Sequence, residues 1–399
     1  MEVKAGYKQT EVGVIPEDWD VLPIEEAYEI CNNLRLPISR TVRKQMEGPY
    51  PYYGPTSIQG YINEYRVEGE YALIGEDGDH FLKWQEQQMT LLVRGRFNVN
   101  NHAHLIKGTK NLTAWFYYYF AHRDITPYLT RQGAGRFKLN KRTLVEIPCV
   151  LPPRHEQEAI VKALSDADAL IEALEQLIAK KRQVKQGIMQ ELLTGKRRLR
   201  GFSDEWKVKK LGELCTAIMD GTHFTPKYVN DGIPFYSVEN VTANDFSNTK
   251  FISLQEHNRL IKRCKPETGD ILMTRIGSLG DTKLINWDVN ASIYVSLALL
   301  KVNKQAINGN YLYAYTESRK FIKDVELRSL INAIPQKINM KNIGDVPILV
   351  PSTEEQTVIA ETLSDMDAEI AALEGKLSKA RQIKQGMMSM LLTGRIRLV

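Results

Sequence analysis

The side chains best suited to a chemical task lie in a basic loop at residues 131–142, which reads Arg-Gln-Gly-Ala-Gly-Arg-Phe-Lys-Leu-Asn-Lys-Arg. Arg and Lys can contact phosphates, and Arg, Asn and Gln can also form hydrogen bonds with base edges. A second loop rich in Asn, Gln and Lys occupies the corresponding place later in the chain, at residues 332–342. A single basic loop is more often a solvated surface loop, but two at matching positions favour contact with nucleic acid. The predicted contacts are Arg131, Arg136, Lys138, Asn140 and Lys141 in the first loop and Gln336, Lys337 and Asn339 in the second.

A polar turn at residues 220–226 is a further candidate for the same chemistry. It reads Asp-Gly-Thr-His-Phe-Thr-Pro, and Lys227 follows it. Such a turn either contacts DNA or only reverses the chain direction, and the sequence does not separate these two interpretations. The candidate contacts here are Thr222, His223, Thr225 and Lys227.

Motifs for catalysis and cofactor binding do not occur in the sequence. It contains no Walker phosphate loop, no Gly-x-Ser-x-Gly elbow, no glycine-rich cofactor loop and no Asn-Pro-Pro-aromatic motif of amino-methyltransferases. The His102-Ala103-His104 pair could suggest metal ligation, but a lone His-x-His without converging carboxylates is more often structural. Asp77-Gly78-Asp79 lacks the full spacing of a calcium loop, and the four cysteines form no CxxC pair. We therefore expect no catalytic residues, no metal and no cofactor.

The elements that must position these loops form a repeat. Residues 147–199 and 346–398 align without a gap, with many identities, so the sequence predicts two tandem halves. Glu156-Gln157 matches Glu355-Gln356, and Leu192-Leu193-Thr194-Gly195 matches Leu391-Leu392-Thr393-Gly394.

Both copies of the repeat predict a long helix. Apolar residues alternate steps of four and three, which is the seam of a coiled coil: Ile160, Leu164, Ala167, Ile171, Leu174 and Ile178, then Ile359, Leu363, Met366, Ile370, Leu373 and Leu377. Pro152-Pro153 begins the first helix, and Ser352 with Glu355 forms a predicted capping box for the second. Gly195 and Gly394 stand where a C-terminal glycine belongs. Roughly 40 residues would give each helix a length of about 60 Å.

The charges of the two helices predict that they pair antiparallel. The first half of each is acidic and the second half is basic, so acid faces base only when the helices run in opposite directions. The closeness of domain termini supports the same arrangement, because a domain leaving helix one at Gly195 should return the chain near that point.

A glycine lies inside each helix at the same place in the repeat. Gly187 and Gly386 each cost about 1 kcal/mol relative to Ala in a helix interior. One hypothesis is that a partner helix approaches closely there, with Met189 and Met388 as adaptable apolar contacts. The alternative is a loose place in the coil.

Between these helices the sequence predicts two globular domains. The predicted organisation is a domain at 1–150, a helix at 151–199, a domain at 200–350 and a helix at 351–399. Each domain opens at a tryptophan, Trp19 or Trp206, followed by a predicted short amphipathic helix at 21–30 or 208–218. Strand-like runs then alternate with glycine turns, and residues 115–120 predict a helix. The fold class is α+β: two globular α/β domains separated by two long antiparallel coiled-coil helices, in a pseudo-two-fold tandem repeat.

Composition agrees with a globular protein that can meet a polyanion. Hydrophobic residues make up 43% of the chain and charged residues 25%, and the net charge is +5. This charge permits a nucleic-acid partner without requiring one. No apolar run approaches transmembrane length and the first residues are polar, so we expect a soluble, cytoplasmic protein.

These features together resemble one known family. Pro-Pro-x-x-Glu-Gln at 152–157, the heptad helix ending in Leu-Leu-Thr-Gly, its second copy and the two dissimilar domains resemble the specificity subunit of type I restriction-modification systems. Phrases inside the domains are also similar to that family, namely Gly75-Glu76-Asp77-Gly78, Asn100-Asn101-His102-Ala103-His104, Asp220-Gly221-Thr222-His223 and Gly269-Asp270-Ile271-Leu272. One departure is Ser352, which stands where the first copy has Pro153.

The resemblance implies a function without catalysis. Each domain would be a target recognition domain that reads one half of a split, asymmetric DNA sequence. The two helices would fix the distance between the domains and dock two methyltransferase subunits, and motor-nuclease subunits would complete the restriction complex.

Two alternatives remain open at this point. One is a self-contained DNA nuclease or methyltransferase, which would act as the purified chain alone. The other is a coiled-coil scaffold that bridges proteins and shows no salt-sensitive binding of DNA.

Overall fold

The computed structural model describes residues 4–132, 136–330 and 333–398 and places them in two compact units. Unit 1 comprises Met1–Leu174 together with Lys376–Val399, and unit 2 comprises Glu175–Gly375. Each unit therefore contains a globular domain, the first part of one long helix and the last part of the other. Within the described ranges, no helix has the length and apolar character that crossing a bilayer requires.

Unit 1 is built on a six-stranded sheet in the order β4-β9-β7-β8-β5-β6, with two-stranded pairs β1-β2, β3-β12 and β10-β11. Single 3-10 turns lie at Asn32–Leu34, Asp79–Lys83 and Thr126–Tyr128. The elements are β1 Tyr7–Thr10, β2 Gly13–Pro16, β3 Asp20–Pro23, α1 Ile24–Ala27, β4 Glu29–Ile30, α2 Arg40–Gln45, β5 Tyr50–Tyr53, β6 Ile58–Ile62, β7 Val67–Gly75, β8 Thr90–Val99, β9 Ala103–Lys107, α3 Thr113–Ala121, β10 Thr130–Gln132, β11 Arg136–Lys138, α4 Lys141–Glu146, β12 Pro148–Leu151 and the start of α5 Arg154–Leu192.

Unit 2 contains two four-stranded sheets, β14-β21-β18-β19 and β15-β17-β16-β20, and the pair β13-β22. A 3-10 turn covers Leu211–Glu213. The elements are β13 Lys207–Lys210, β14 Cys215–Asp220, β15 Tyr228–Val229, β16 Ile233–Tyr236, α6 Val238–Ala243, β17 Lys250–Ile252, α7 Leu254–Leu260, β18 Ile271–Thr274, β19 Thr282–Leu284, β20 Ser292–Ile293, β21 Leu297–Val302, α8 Gly309–Thr316, α9 Arg319–Leu327, α10 Met340–Gly344, β22 Pro347–Val350 and the start of α11 Thr353–Leu391.

The two domains share a backbone frame although their sequences show little similarity. The antiparallel pair β7-β9 in unit 1 corresponds to β18-β21 in unit 2, with Leu73 opposite Leu105 and Leu272 opposite Leu299. β4 pairs with β9 as β14 pairs with β21, and the helices α3 and α8 follow. The repeat therefore extends through the domains as structure where the sequence no longer shows it.

Each domain shares one hydrophobic core with its helix segments. α3, the helix predicted at 115–120, is buried at every position but one, as expected of a helix that is apolar all round. In unit 1 it packs in the same core as Ile160 and Leu164 of α5, Leu391 at the end of α11 and Leu392 directly after it. The core of unit 2 likewise combines its domain with residues at or directly after the end of α5 and residues in the first part of α11: Met189, Leu192, Leu193, Ile359 and Leu363.

The short amphipathic helices predicted at 21–30 and 208–218 are wrong. After each tryptophan the chain forms a strand, β3 or β13, that pairs antiparallel with the strand leading into the long helix, β12 or β22. Only the turn Ile24–Ala27 and the 3-10 turn Leu211–Glu213 are helical there. The partner strands lie far away along the chain, so local periodicity could not reveal them.

The long helices are confirmed, and so is their antiparallel pairing. α5 and α11 each contain 39 residues. In unit 1, Lys384 from the end of α11 binds Asp168 from the start of α5 at 2.5 Å. In unit 2 the roles are exchanged, because basic residues at the end of α5 bind acidic residues at the start of α11: Lys181–Glu369, Arg182–Glu374 and Lys185–Asp367. Acid faces base within both units, as the charge pattern predicted.

In each unit, the segment that follows the end of one long helix is bound to the start of the other by a group of side chains that we call the helix-end clasp. In unit 1, Arg397 donates two hydrogen bonds of 2.8 Å to the buried carboxylate of Glu156, and Trp19 Nε1 donates a third at 2.9 Å. Burial alone would raise the pKa of Glu156, but the hydrogen bonds from Arg397 and Trp19 outweigh it and hold the pKa below its usual range. Arg397 also binds the exposed Asp18.

Unit 2 contains the same clasp made from the matching residues. Arg198 donates two hydrogen bonds of 2.7 Å to buried Glu355, and Trp206 Nε1 donates one of 3.0 Å. The predicted capping box is therefore only half present. The Ser352 hydroxyl accepts from the backbone N–H of Glu355, while the Glu355 carboxylate binds Arg198 and Trp206 instead of returning to Ser352.

Candidate nucleic-acid interface

In unit 1 the predicted basic loop is held against two other polar segments. The backbone N–H of Leu139 donates to Glu76 O at 2.7 Å, and the N–H of Glu76 donates to His102 O at 2.8 Å. Lys138 forms an isolated β-bridge with Asp77. The Asp77 carboxylate in turn lies 2.6 Å from His102 Nδ1, within hydrogen-bond distance. The turn after β7, the turn before β9 and the end of the basic loop therefore lie side by side.

Glu76 is the charged centre of this cluster. Its carboxylate accepts from Arg35 Nη1 at 2.7 Å and pairs with Lys138 Nζ at 3.3 Å. His104 is buried beneath, between Asn32 and the carbonyl of Leu139. Burial lowers the pKa of His104, so the imidazole is neutral at pH 7 and supports the loop through hydrogen bonds. The interpretation of this His-x-His pair as structural agrees with these contacts.

The residues predicted in the first loop have different surroundings. Lys138 is half-buried and engaged with Glu76, and Asn140 caps α4 by accepting from the backbone N–H of Thr143 at 2.9 Å. Lys141 is exposed at the start of α4. Residues 133–135 and the side chains of Arg131 and Arg136 lie outside the described part of the chain. Within the part described, Lys141 is the predicted contact most available to a ligand.

A basic segment that the sequence analysis did not single out adjoins this cluster. α2 carries Arg40, Arg43 and Lys44, and its N-terminus is capped by the Ser39 hydroxyl. Gln59 Oε1 accepts from Arg43 at 3.4 Å and from the buried Asn100 at 3.2 Å, which links α2 to the turn before β9. These cations lie more than 50 residues before the turn at 100–102 along the chain, so only the fold brings them to the same surface.

In unit 2 the polar turn at 220–226 and the second predicted loop are also brought together. Arg275, directly after β18, donates to Asp220 at 3.2 Å and to the carbonyl oxygens of Ile338 and Val295 at 3.1 and 3.0 Å. The N–H of Ile338 donates back to Arg275 O, and the N–H of Gly277 donates to Gln336 O. Burial lowers the pKa of Arg275 and Asp220 counteracts this, which leaves the guanidinium charged at neutral pH.

Asp220 contacts two arginines and one histidine at the base of this turn. Besides Arg275, its carboxylate binds Arg263 and lies 2.9 Å from His223 Nε2. Thr222 is buried, with its hydroxyl directed to Phe224 O, so it supports the turn. The other residues predicted for this surface have exposed side chains: His223, Thr225, Lys227, Gln336, Lys337 and Asn339.

The chemistry available at both clusters is recognition. Exposed cations and amides can contact phosphates and base edges, and the acidic groups beneath them are occupied by protein cations. Among the described residues, no group of three or more His, Cys, Asp or Glu side chains is arranged to hold a metal ion.

The predicted partner contacts lie on the long helices. Gly187 and Gly386 are exposed, and a Cβ atom added at either would meet nothing within 4 Å. Met189 is buried in the core of unit 2, and Met388 packs partly against the core of unit 1. The two glycines therefore present open backbone, while the methionines are largely used inside their own units.

Both the sequence and the fold are similar to those of known proteins. The family model described as the type I restriction modification DNA specificity domain matches twice, at residues 16–183 and 203–382. A putative type I restriction enzyme specificity subunit of Haemophilus influenzae is 28% identical over 86% of this chain and 86% of its own length. A second, from Methanocaldococcus jannaschii, is 25% identical over 98% of this chain and 96% of its own length.

Among solved structures, the type I restriction-modification S subunit from M. genitalium has a similar fold. It superposes with a TM-score of 0.65 and 16% sequence identity, and the match covers 98% of both chains. The two family matches together span most of the residues and fall once on each repeat. The chain therefore belongs to the family of type I restriction-modification DNA specificity domains.

Proposed function

We propose that this chain is the DNA-recognition subunit of a type I restriction-modification complex and reads a split, asymmetric target, one half with each unit. The observation that carries the proposal is that the two units have the same arrangement of strands but present different polar loops. Beside the equivalent turns that follow β7 and β18, unit 1 presents Lys141 and the α2 cations, and unit 2 presents His223, Gln336 and Lys337. Two different surfaces on one repeated frame suit a target whose halves differ in sequence.

Partners would assemble on the long helices. Two methyltransferase subunits would dock there, one at each exposed glycine, and motor-nuclease subunits would complete the restriction complex. The chain itself would carry out no chemistry. The names of the relatives from H. influenzae and M. jannaschii support this role, since both are described as restriction enzyme specificity subunits.

Methylome sequencing tests the proposal directly. Cells with this gene and its methyltransferase partner should carry methylated bases within one split motif, and deletion of this gene alone should remove the motif. Methylation that continues without this chain would refute the proposal. Absence of salt-sensitive DNA binding by the assembled complex would instead favour a protein scaffold.

A further inference from the structure

A charged pair occupies the same place in both units, but its charges are exchanged. In unit 1 the residue that follows β7 is the acid Glu76, and it accepts from Arg35. In unit 2 the residue that follows β18 is the base Arg275, and it donates to Asp220. Arg35 follows β4, which pairs with the other side of β9, and Asp220 is the last residue of β14, which pairs with the other side of β21.

Backbone hydrogen bonds establish that Glu76 and Arg275 are equivalent. Leu139 N–H donates to Glu76 O as Ile338 N–H donates to Arg275 O. Each residue's own N–H donates to the turn before the next strand, to His102 O in unit 1 and to Ser296 O in unit 2. Two residues further on, both units have a glycine with positive φ, Gly78 at 138° and Gly277 at 86°.

Each pair joins the segments that carry the candidate DNA contacts of its unit. Glu76 ties the turn at 76–79 to Arg35 and to Lys138 beside α4. Arg275 ties the turn at 275–280 to Asp220 below His223 and to the strand-like segment that bears Lys337. The paired side chains are mostly withdrawn from solvent, with exposures of 22% and 16% in unit 1 and 9% and 9% in unit 2.

Partly buried ion pairs contribute little net stability, yet they favour one arrangement of the groups they join. From this position in both frames, we infer that Glu76 and Arg275 are positioning residues for sequence recognition, each fixing the loops of its own unit. The inference rests on the proposed DNA-reading function. The two pairs differ in polarity. In unit 1 the acid lies beneath a cluster of cations, whereas in unit 2 the base itself donates to three acceptors. Each half-target therefore depends on the positioning residue of its own unit.

The test uses the full chain assembled with its methyltransferase partner, and the motif defined by the wild type. Glu76→Gln removes the charge of one pair, and Arg275→Lys keeps the charge but cannot reach three acceptors as a planar guanidinium does. Each variant should lower discrimination in one half of the motif about tenfold, within the range of one well-read base pair. The two variants should relax different halves, measured by methylome sequencing and by competition with duplexes substituted in a single half.

Matched controls separate positioning from general damage. Glu68→Gln breaks an exposed pair on β7, and Lys210→Gln breaks an exposed pair in unit 2, and both should leave the motif unchanged. Arg35→Gln combined with Glu76→Gln should relax the same half no more than Glu76→Gln alone, since both remove one pair.

Two results would overturn the inference. One is an unchanged motif in both variants, and the other is an equal loss at both halves accompanied by a lower melting temperature. A wild-type complex that yields no motif at all would instead refute the proposed function, so the two failures are distinguishable.

Discussion

The helix-end clasp gives a prediction whose size follows from the structure. In Arg397→Met, the Glu156 carboxylate, which is fully buried in the wild type, loses two charged hydrogen bonds of 2.8 Å. It keeps two neutral donors, Trp19 Nε1 at 2.9 Å and the Leu398 N–H at 3.3 Å. Removing one partner of a buried pair costs about 3–5 kcal/mol, and the remaining donors favour the lower end, about 3 kcal/mol. The state in which the segment that follows α11 is detached from Glu156 should then become about 100-fold more populated.

Hydrogen exchange is the appropriate assay, because a chain with two units has no single unfolding free energy. Amides in residues 386–398 should lose about 3 kcal/mol of protection at pH 7, whereas those of β18 in unit 2 should be unchanged. Adding Glu156→Gln to Arg397→Met should restore part of the protection, since the stranded charge is then gone. Unchanged protection in the single variant, or additive losses in the double variant, would refute the reasoning.

The clasp should also respond to pH in a defined direction. The folded-state pKa of Glu156 lies below its usual value, so its contribution is present above an unfolded pKa of about 4.3. That contribution is lost as the pH falls through the lower, folded pKa. The difference in protection between wild type and Arg397→Met should therefore shrink below about pH 4. Arg198→Met in unit 2 repeats the experiment with nearly the same geometry.

Three further outcomes follow from the repeat and the surfaces. A chain of residues 1–199 should form a homodimer in sedimentation equilibrium, because its residues 185, 192, 193 and 198 repeat the Lys, Leu, Leu and Arg that stand at 384, 391, 392 and 397 in unit 1. A monomer would contradict this prediction. Gly187→Leu with Gly386→Leu should abolish methyltransferase binding in pull-down assays while leaving the circular dichroism spectrum and melting unchanged, and normal assembly would mark these glycines as a loose place in the coil. Lys141→Ala should weaken DNA binding and reduce the salt slope by about one unit, whereas an unchanged slope would place Lys141 away from phosphate.

The sequence predicted well what is local or repeated. The seam from Ile160 to Ile178, the glycine at 195 and the opposed charges of the helices all act through spacing along one helix or through the two copies. The strand β3 was missed because its partner, β12, lies more than 120 residues away. Tertiary pairing decided its conformation, and the apolar pattern of residues 21–30 was also compatible with a helix.

The candidate interface was predicted only in part, for a similar reason. The basic loop and the turn at 220–226 stand out by composition, and the fold does place polar turns beside them. The pairing of Arg35 with Glu76 had no signal in the sequence, because the partners are 41 positions apart. The equivalence of Glu76 and Arg275 was hidden further, since residues of opposite charge do not align.

The arrangement of unit 1 has a consequence for how the chain is made. Its core includes Leu391 and Leu392, so Met1–Leu174 leaves the ribosome long before the residues that complete its core. Unit 2 is one continuous stretch, Glu175–Gly375, and all of it is synthesised before residues 376–398. Domains usually finish folding in the order of synthesis. Here unit 2 can fold first, although it is synthesised after most of unit 1. The apolar face around Ile160 and Leu164 remains uncovered until Leu391 and Leu392 have been synthesised.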